Sequence, residues 1–123
     1  MKQWFVGVVT LFIAACGAET MPDSTPETIA DAIAAGATVI DVRTAEEMAE
    51  GMLTGAVPIL YTEIVAGVEA LNIPADTTLV LYCRSGRRSG IATSALQAAG
   101  YRNAINGGGY TELAAVLAER QSG

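Results

Sequence analysis

Beyond one unbroken apolar run near the start, the apolar positions along the chain alternate between two spacings. Ile29, Ala30, Ile33 and Ala34 recur at helical spacing up to Gly36, and Ser24 and Glu27 stand before them at the separation of a capping box. Residues 37–42 form a short β-branched run that reads as a buried strand. Thr44 and Glu47 make a second capping box, which opens a short helix ending at Gly51. Residues 55–59 fit a brief strand closed by Pro58, and Ile64, Val65, Val68 and Leu71 define one face of a helix over 62–71. Residues 77–82 make the clearest strand, 89–99 a helix stopped by Gly100, 103–105 a short strand, 107–109 a loop and 110–119 a closing helix.

Near-continuous apolar strands alternating with helices predict an α/β fold with a mainly parallel sheet covered on both faces. At 123 residues the chain suits one compact domain, expected over residues 26–121. Sites in such folds form where strands end and loops enter helices. Cys83 lies at such a point.

The apolar run at residues 4–15 follows Lys2, ends in small residues, and is short of the about 20 residues a spanning helix needs. It reads as a signal peptide over residues 1–15. Ile13-Ala14-Ala15-Cys16 also resembles a bacterial lipobox, which implies lipidation of Cys16, a polar tether over residues 16–25, and a domain on the periplasmic side of a membrane. Ordinary cleavage to a soluble periplasmic product is the alternative. If Cys16 is acylated, Cys83 is a lone free thiol in an oxidising compartment, where an unused thiol is a liability. Burial as a small hydrophobe or pairing in a disulfide is the plainer reading of Cys83.

Composition removes several chemistries. The chain has no histidine, so Ser-His and Cys-His dyads and imidazole bases are excluded, and two cysteines cannot build a metal site by themselves. A net charge of −6 argues against a nucleic-acid surface, which needs a broad basic face. Against that acidic background, Arg84, Arg87 and Arg88 crowd one decapeptide, LYCRSGRRSG.

If Tyr82 ends a strand and a helix begins at Arg88 or Ser89, the segment between must turn tightly. Gly86 permits such a turn with backbone N–H groups pointing inward. Those N–H groups, the positive end of the helix and the guanidinium groups make an anion cradle, and each favours the thiolate of Cys83. Cysteine phosphatases and related arsenate reductases place one residue more between nucleophile and arginine than separates Cys83 from Arg88. The shorter loop suits a single sulfur atom better than a tetrahedral oxyanion.

The motifs DVRTAEE at 41–47, GMLTGAV at 51–57, YCRSGRRS at 82–89, GYRN at 100–103 and GGG at 107–109 together resemble the rhodanese homology domain in its short exported form. Where that family usually has Gly-His, this chain has Gly51-Met52, a departure expected to affect packing rather than catalysis. The resemblance implies a three-layer fold with a mainly parallel sheet of about five strands. It further implies sulfur transfer from thiosulfate or a similar donor, through a Cys83 persulfide, to cyanide, a small thiol or a protein thiol. Arg84, Ser85, Gly86, Arg87, Arg88 and Ser89 would bind the donor, with no metal or other cofactor. A non-catalytic rhodanese-like module or sulfur carrier is the alternative of a different class.

Other features take plainer readings. Asp41 and Arg43 read as a structural pair, Glu46, Glu47 and Glu50 as a solvated helix face, and Ala92, Ala95, Leu96 and Ala99 as a packed one. Tyr82 and Tyr110 are expected in the core or as pocket wall. Gly107 to Gly109 either allow close backbone approach or simply turn.

Overall fold

The computed structural model of the protein describes residues 25–122. The expected signal peptide, most of the tether and Cys16 lie outside the described residues. The chain forms α1 (Pro26–Ala34), β1 (Thr38–Asp41), α2 (Ala45–Ala49), β2 (Val57–Pro58), a 3-10 turn (Tyr61–Glu63) running into α3 (Ile64–Ala70), β3 (Leu79–Cys83), α4 (Arg87–Ala98), β4 (Ala104–Gly109) and α5 (Tyr110–Ser122). The sheet order is β2-β1-β3-β4 with every pairing parallel. Among the described residues the sheet has four strands rather than about five.

Local signals set most of the boundaries. Thr25, not Ser24, caps α1 by accepting the N–H of Thr28, because Pro26 takes the first helical position, where a missing N–H costs nothing. The capping box of α2 forms as the spacing predicts, with Thr44 and Glu47 each accepting the other's backbone N–H.

β3 is buried along its whole length and sends alternate side chains to two cores. Leu79, Leu81 and Cys83 pack with Ile40, Ile64, Val68, Ala92 and Leu96 towards α3 and α4. Val80 and Tyr82 pack with Ile29, Val39, Leu53 and Leu113 towards α1 and α5. Each fully buried aliphatic side chain contributes about 1.5–3 kcal/mol, so the strand that carries Cys83 is clamped from both sides.

Two sequence expectations change here. The inner face of α4 is Ser89, Ala92, Thr93 and Leu96, while Ala95 and Ala99 are exposed. Both stripes have helical spacing; the observed one brings Ser89 under the strand end. Gly107 to Gly109 belong to β4, not to a loop. A Cβ on Gly107 would lie 2.7 Å from Val80 Cγ1 and 2.9 Å from the Leu81 carbonyl oxygen. One on Gly109 would lie 2.7 Å from the Arg84 carbonyl oxygen. The glycines therefore serve close backbone approach, and the register of β3 against β4 slips between Leu81 and Cys83 beside them.

Candidate functional site

The site is built at the carboxyl end of β3, where the strand delivers Cys83 at 0% exposure. The chain turns through Arg84 and Ser85, passes Gly86 at φ 95°, and enters α4 at Arg87. That left-handed geometry suits glycine, and a Cβ at Gly86 would approach Gly108 Cα to 3.3 Å. The tight reversal aims donors at one atom. Cys83 Sγ accepts from the Gly86 N–H at 3.0 Å, the Ser89 N–H at 3.5 Å and the Ser89 hydroxyl at 3.5 Å.

These contacts decide the state of the thiol. Burial is the largest single influence and pushes the Cys83 pKa up, because it penalises the charged form. The Ser89 hydroxyl and the N–H groups of Ser89, Ser85 and Gly86 outweigh it together, so the pKa falls below its ordinary value. A buried sulfur with no histidine nearby is thereby made a better nucleophile.

The loop arginines separate into two kinds. Arg88 donates to both carboxylate oxygens of Glu47, at 2.8 Å each, in a bidentate pair. Arg84 is 79% exposed and comes within only 3.9 Å of Glu47. Arg87 is exposed and joins no ion pair among the described residues. Ser85 is exposed, whereas Ser89 is buried against the sulfur. The sequence places all of these in one loop, and the structure brings Cys83, Gly86 and Ser89 into contact while leaving the side chains of Arg84, Ser85 and Arg87 at the rim.

Glu47 corrects the expectation of a solvated helix face. It caps α2, grips Arg88 from across the loop, and is held by that guanidinium at a pKa of about 2. The carboxylate raises the Arg88 pKa in return. Because the folded pKa lies below the ordinary 4.5, the pair's stabilisation is complete above pH 4.5 and fades as pH falls towards about 2. Urea denaturation of the wild type is therefore expected to lose stability across that window more steeply than Glu47→Gln. Parallel profiles would show that the pair does not hold the loop.

On the opposite face of β3, Asp41 and Arg43 form the expected structural pair. Asp41 accepts from Arg43 Nε at 3.0 Å, from Arg43 Nη2 at 2.8 Å and from the Tyr82 hydroxyl at 2.7 Å. Tyr82 in turn accepts the Leu53 N–H at 2.9 Å, which ties the residue after Met52 to the sheet. Burial and the Asp41 carboxylate hold Tyr82 well above the ordinary tyrosine range. Arg43 also donates to the Gly51 carbonyl and lies 4.6 Å from the ring centre of Tyr110. Arg43, Glu47, Glu50, Gly51, Arg84 and Tyr110 line a cleft of about 210 Å³ beside the loop. Tyr82 is thus core, and Tyr110 pocket wall.

One partner was not legible in the spacing of the motifs. Asn106, in β4, accepts from the Ser89 hydroxyl at 2.7 Å and from the Gly108 N–H at 3.0 Å, and donates to the Gly86 carbonyl at 3.0 Å. Its sequence signal is a polar amide placed inside a strand directly before three glycines.

Comparison with known proteins supplies a family. The family model for the rhodanese-like domain matches residues 25–115. A sulfurtransferase of Allochromatium vinosum is 37% identical over 68 residues, which are 55% of this chain and 62% of that protein. The chain thus spans a little under two thirds of that relative's length. The thiosulfate sulfurtransferase PspE of Escherichia coli is 32% identical over 75 residues, 61% of this chain and 72% of that protein. A solved rhodanese with anions from E. coli superposes with a TM-score of 0.60 at 30% identity, covering 63% of this chain and 91% of that one.

Proposed function

The chain belongs to the rhodanese-like domain family, and on that premise we propose that it is a sulfurtransferase working through a Cys83 persulfide, with thiosulfate or a similar anion as donor. The observation that carries this reading is the convergence of N–H and hydroxyl donors on a buried, acidified sulfur. The Cys83 thiolate attacks the outer sulfur of thiosulfate. A sulfur–sulfur bond forms, the bond to the sulfonyl sulfur breaks, and sulfite leaves with its electron pair. The persulfide left behind carries its one negative charge on the outer sulfur, one bond beyond the atom these donors meet, and the N–H-lined turn offers that charge a polar surrounding. Cyanide or a thiolate then attacks the terminal sulfur and returns Cys83 as thiolate. Names of the relatives support the class of reaction, and the anions with the E. coli rhodanese support an anionic donor.

Arg88 is committed to Glu47, so the donor's negative charge falls to Arg84 and Arg87. Both are exposed, and their pull is screened by salt. Arg84→Ala and Arg87→Ala are each expected to raise the KM for thiosulfate several-fold with kcat nearly unchanged, and the effect should shrink at high ionic strength. Wild-type KM values in both variants would remove the rim arginines from donor binding.

The decisive experiment incubates the protein with thiosulfate and weighs it intact. A gain of one sulfur atom, discharged as thiocyanate by cyanide, is the expected outcome. No adduct and no thiocyanate would leave a rhodanese-like binding module. Export and a lipid on Cys16 remain part of the same proposal, carried by the sequence at residues 13–16. A fatty-acid label incorporated by the wild type in a bacterial host and lost in Cys16→Ala is expected; an unlabelled wild type would favour the soluble product.

A further inference from the structure

The Ser89 hydroxyl has one proton and two acceptors. Asn106 Oδ1 lies 2.7 Å from Ser89 Oγ and Cys83 Sγ lies 3.5 Å from it. The orientation of the amide is fixed independently, because the Gly108 N–H requires its oxygen at one end and the Gly86 carbonyl requires its NH₂ at the other. A neutral thiol is a weak acceptor, so the proton belongs to Asn106 at the short distance. An anionic sulfur is a strong one, and a charge-assisted hydrogen bond is roughly twice as strong as a neutral one.

We propose that Asn106 is a positioning residue of this site: it holds the Ser89 hydroxyl proton while Cys83 is a thiol and yields it, by rotation of the hydroxyl, when the sulfur becomes thiolate. No proton is transferred; one hydrogen bond is exchanged for another. The fixed N–H donors from Ser85, Gly86 and Ser89 then set the constant part of the sulfur's stabilisation, and Asn106 sets how much the hydroxyl adds. A stronger hold by residue 106 weakens the sulfur's share, and release strengthens it. The proposal rests on Cys83 working as an anionic sulfur.

The test is the Cys83 titration, read as the pH dependence of iodoacetamide alkylation in the intact, reduced protein. It needs no donor and no turnover, so it stands apart from the sulfurtransferase assay. Ser89→Ala is expected to raise the thiol pKa by about half a unit or more. Asn106→Ala frees the hydroxyl and lowers that pKa. In its background Ser89→Ala produces a larger rise than in the wild type. Asn106→Asp gives up the bond to the Gly86 carbonyl but keeps an acceptor for the hydroxyl and strengthens its hold, so there Ser89→Ala moves the titration little. The charges facing the sulfur region are Arg87 and Arg88 on α4 with Glu47 from α2, Arg84 from the loop and Glu112 from α5, all common to every variant. The carboxylate that Asn106→Asp adds raises the thiol pKa with and without the Ser89 hydroxyl, and so cancels from the Ser89→Ala difference in that background. Ser89→Ala shifts of equal size in every background capable of folding would mean that Asn106 only braces the loop, and would overturn the proposal. An unmoved titration in Ser89→Ala alone would overturn it as well. If Asn106→Ala does not fold, the comparison of Asn106→Asp with the wild type decides.

Discussion

Cys83→Ser is expected to take up no sulfur from thiosulfate and to lose turnover by about a thousand-fold or more. The loss follows from the acid–base chemistry of the site. The donors around position 83 lower a thiol pKa from 9.0 and favour the thiolate, but there is no histidine in the chain to deprotonate a hydroxyl. Serine at the strand end would stay neutral and could not form the sulfur–sulfur bond that holds the transferred atom. The variant should keep its fold, since a hydroxyl oxygen accepts the same N–H groups and is slightly smaller than sulfur. Intact mass after thiosulfate treatment, thiocyanate release and thermal melting separate the two effects. A variant that still gains one sulfur atom would move the nucleophile elsewhere.

The largest stability effect is expected at a residue outside the reacting loop. Asp41→Ala removes the carboxylate that pairs with Arg43 and accepts from Tyr82. Asp41 is 0% exposed and Arg43 6%, so the guanidinium is left charged and buried, and the phenol loses its acceptor. Breaking a buried pair from one side costs about 3–5 kcal/mol, a large part of the stability of a small domain. The melting temperature should fall by on the order of 15–25 °C. Asp41→Asn, which keeps the shape and an acceptor, should fall less. A loss below about 1 kcal/mol in Asp41→Ala, the range of an exposed pair, would show that Arg43 finds water or another partner once the carboxylate is gone.

What the sequence made legible is what lies close along the chain. The Thr44–Glu47 box, the Cys83-to-Ser89 turn and the helix that follows it each depend on residues within about two turns, and spacing alone exposes them. The missed parts are contacts between distant segments. Glu47 shows its capping half in the sequence, but its grip on Arg88 spans 41 residues. Asn106 reaches Gly86 over 20 residues, and only the packed sheet brings β4 under the loop. The shift of the α4 stripe has the same origin. Alanine spacing alone favours Ala95 and Ala99, and the position of Cys83 at the strand end selects Ser89 and Thr93 instead. The glycines at 107–109 left close backbone approach and a simple turn both open, because what decides between them, the closeness of Val80, Leu81 and Arg84, belongs to neighbouring segments.

The helix after the loop begins at Gly86, which has no side chain with which to close its first turn. The Ser89 N–H, at the third helical position, is met by the sulfur of Cys83, three residues before the helix boundary. Cys83 therefore stands in for the missing N-cap of α4, and a reacting atom is also a structural one. Charge on that atom strengthens the cap, so the thiolate holds the helix's first turn more firmly than the thiol does. The chain that holds the sulfur and the sulfur that holds the chain are stabilised by one set of hydrogen bonds.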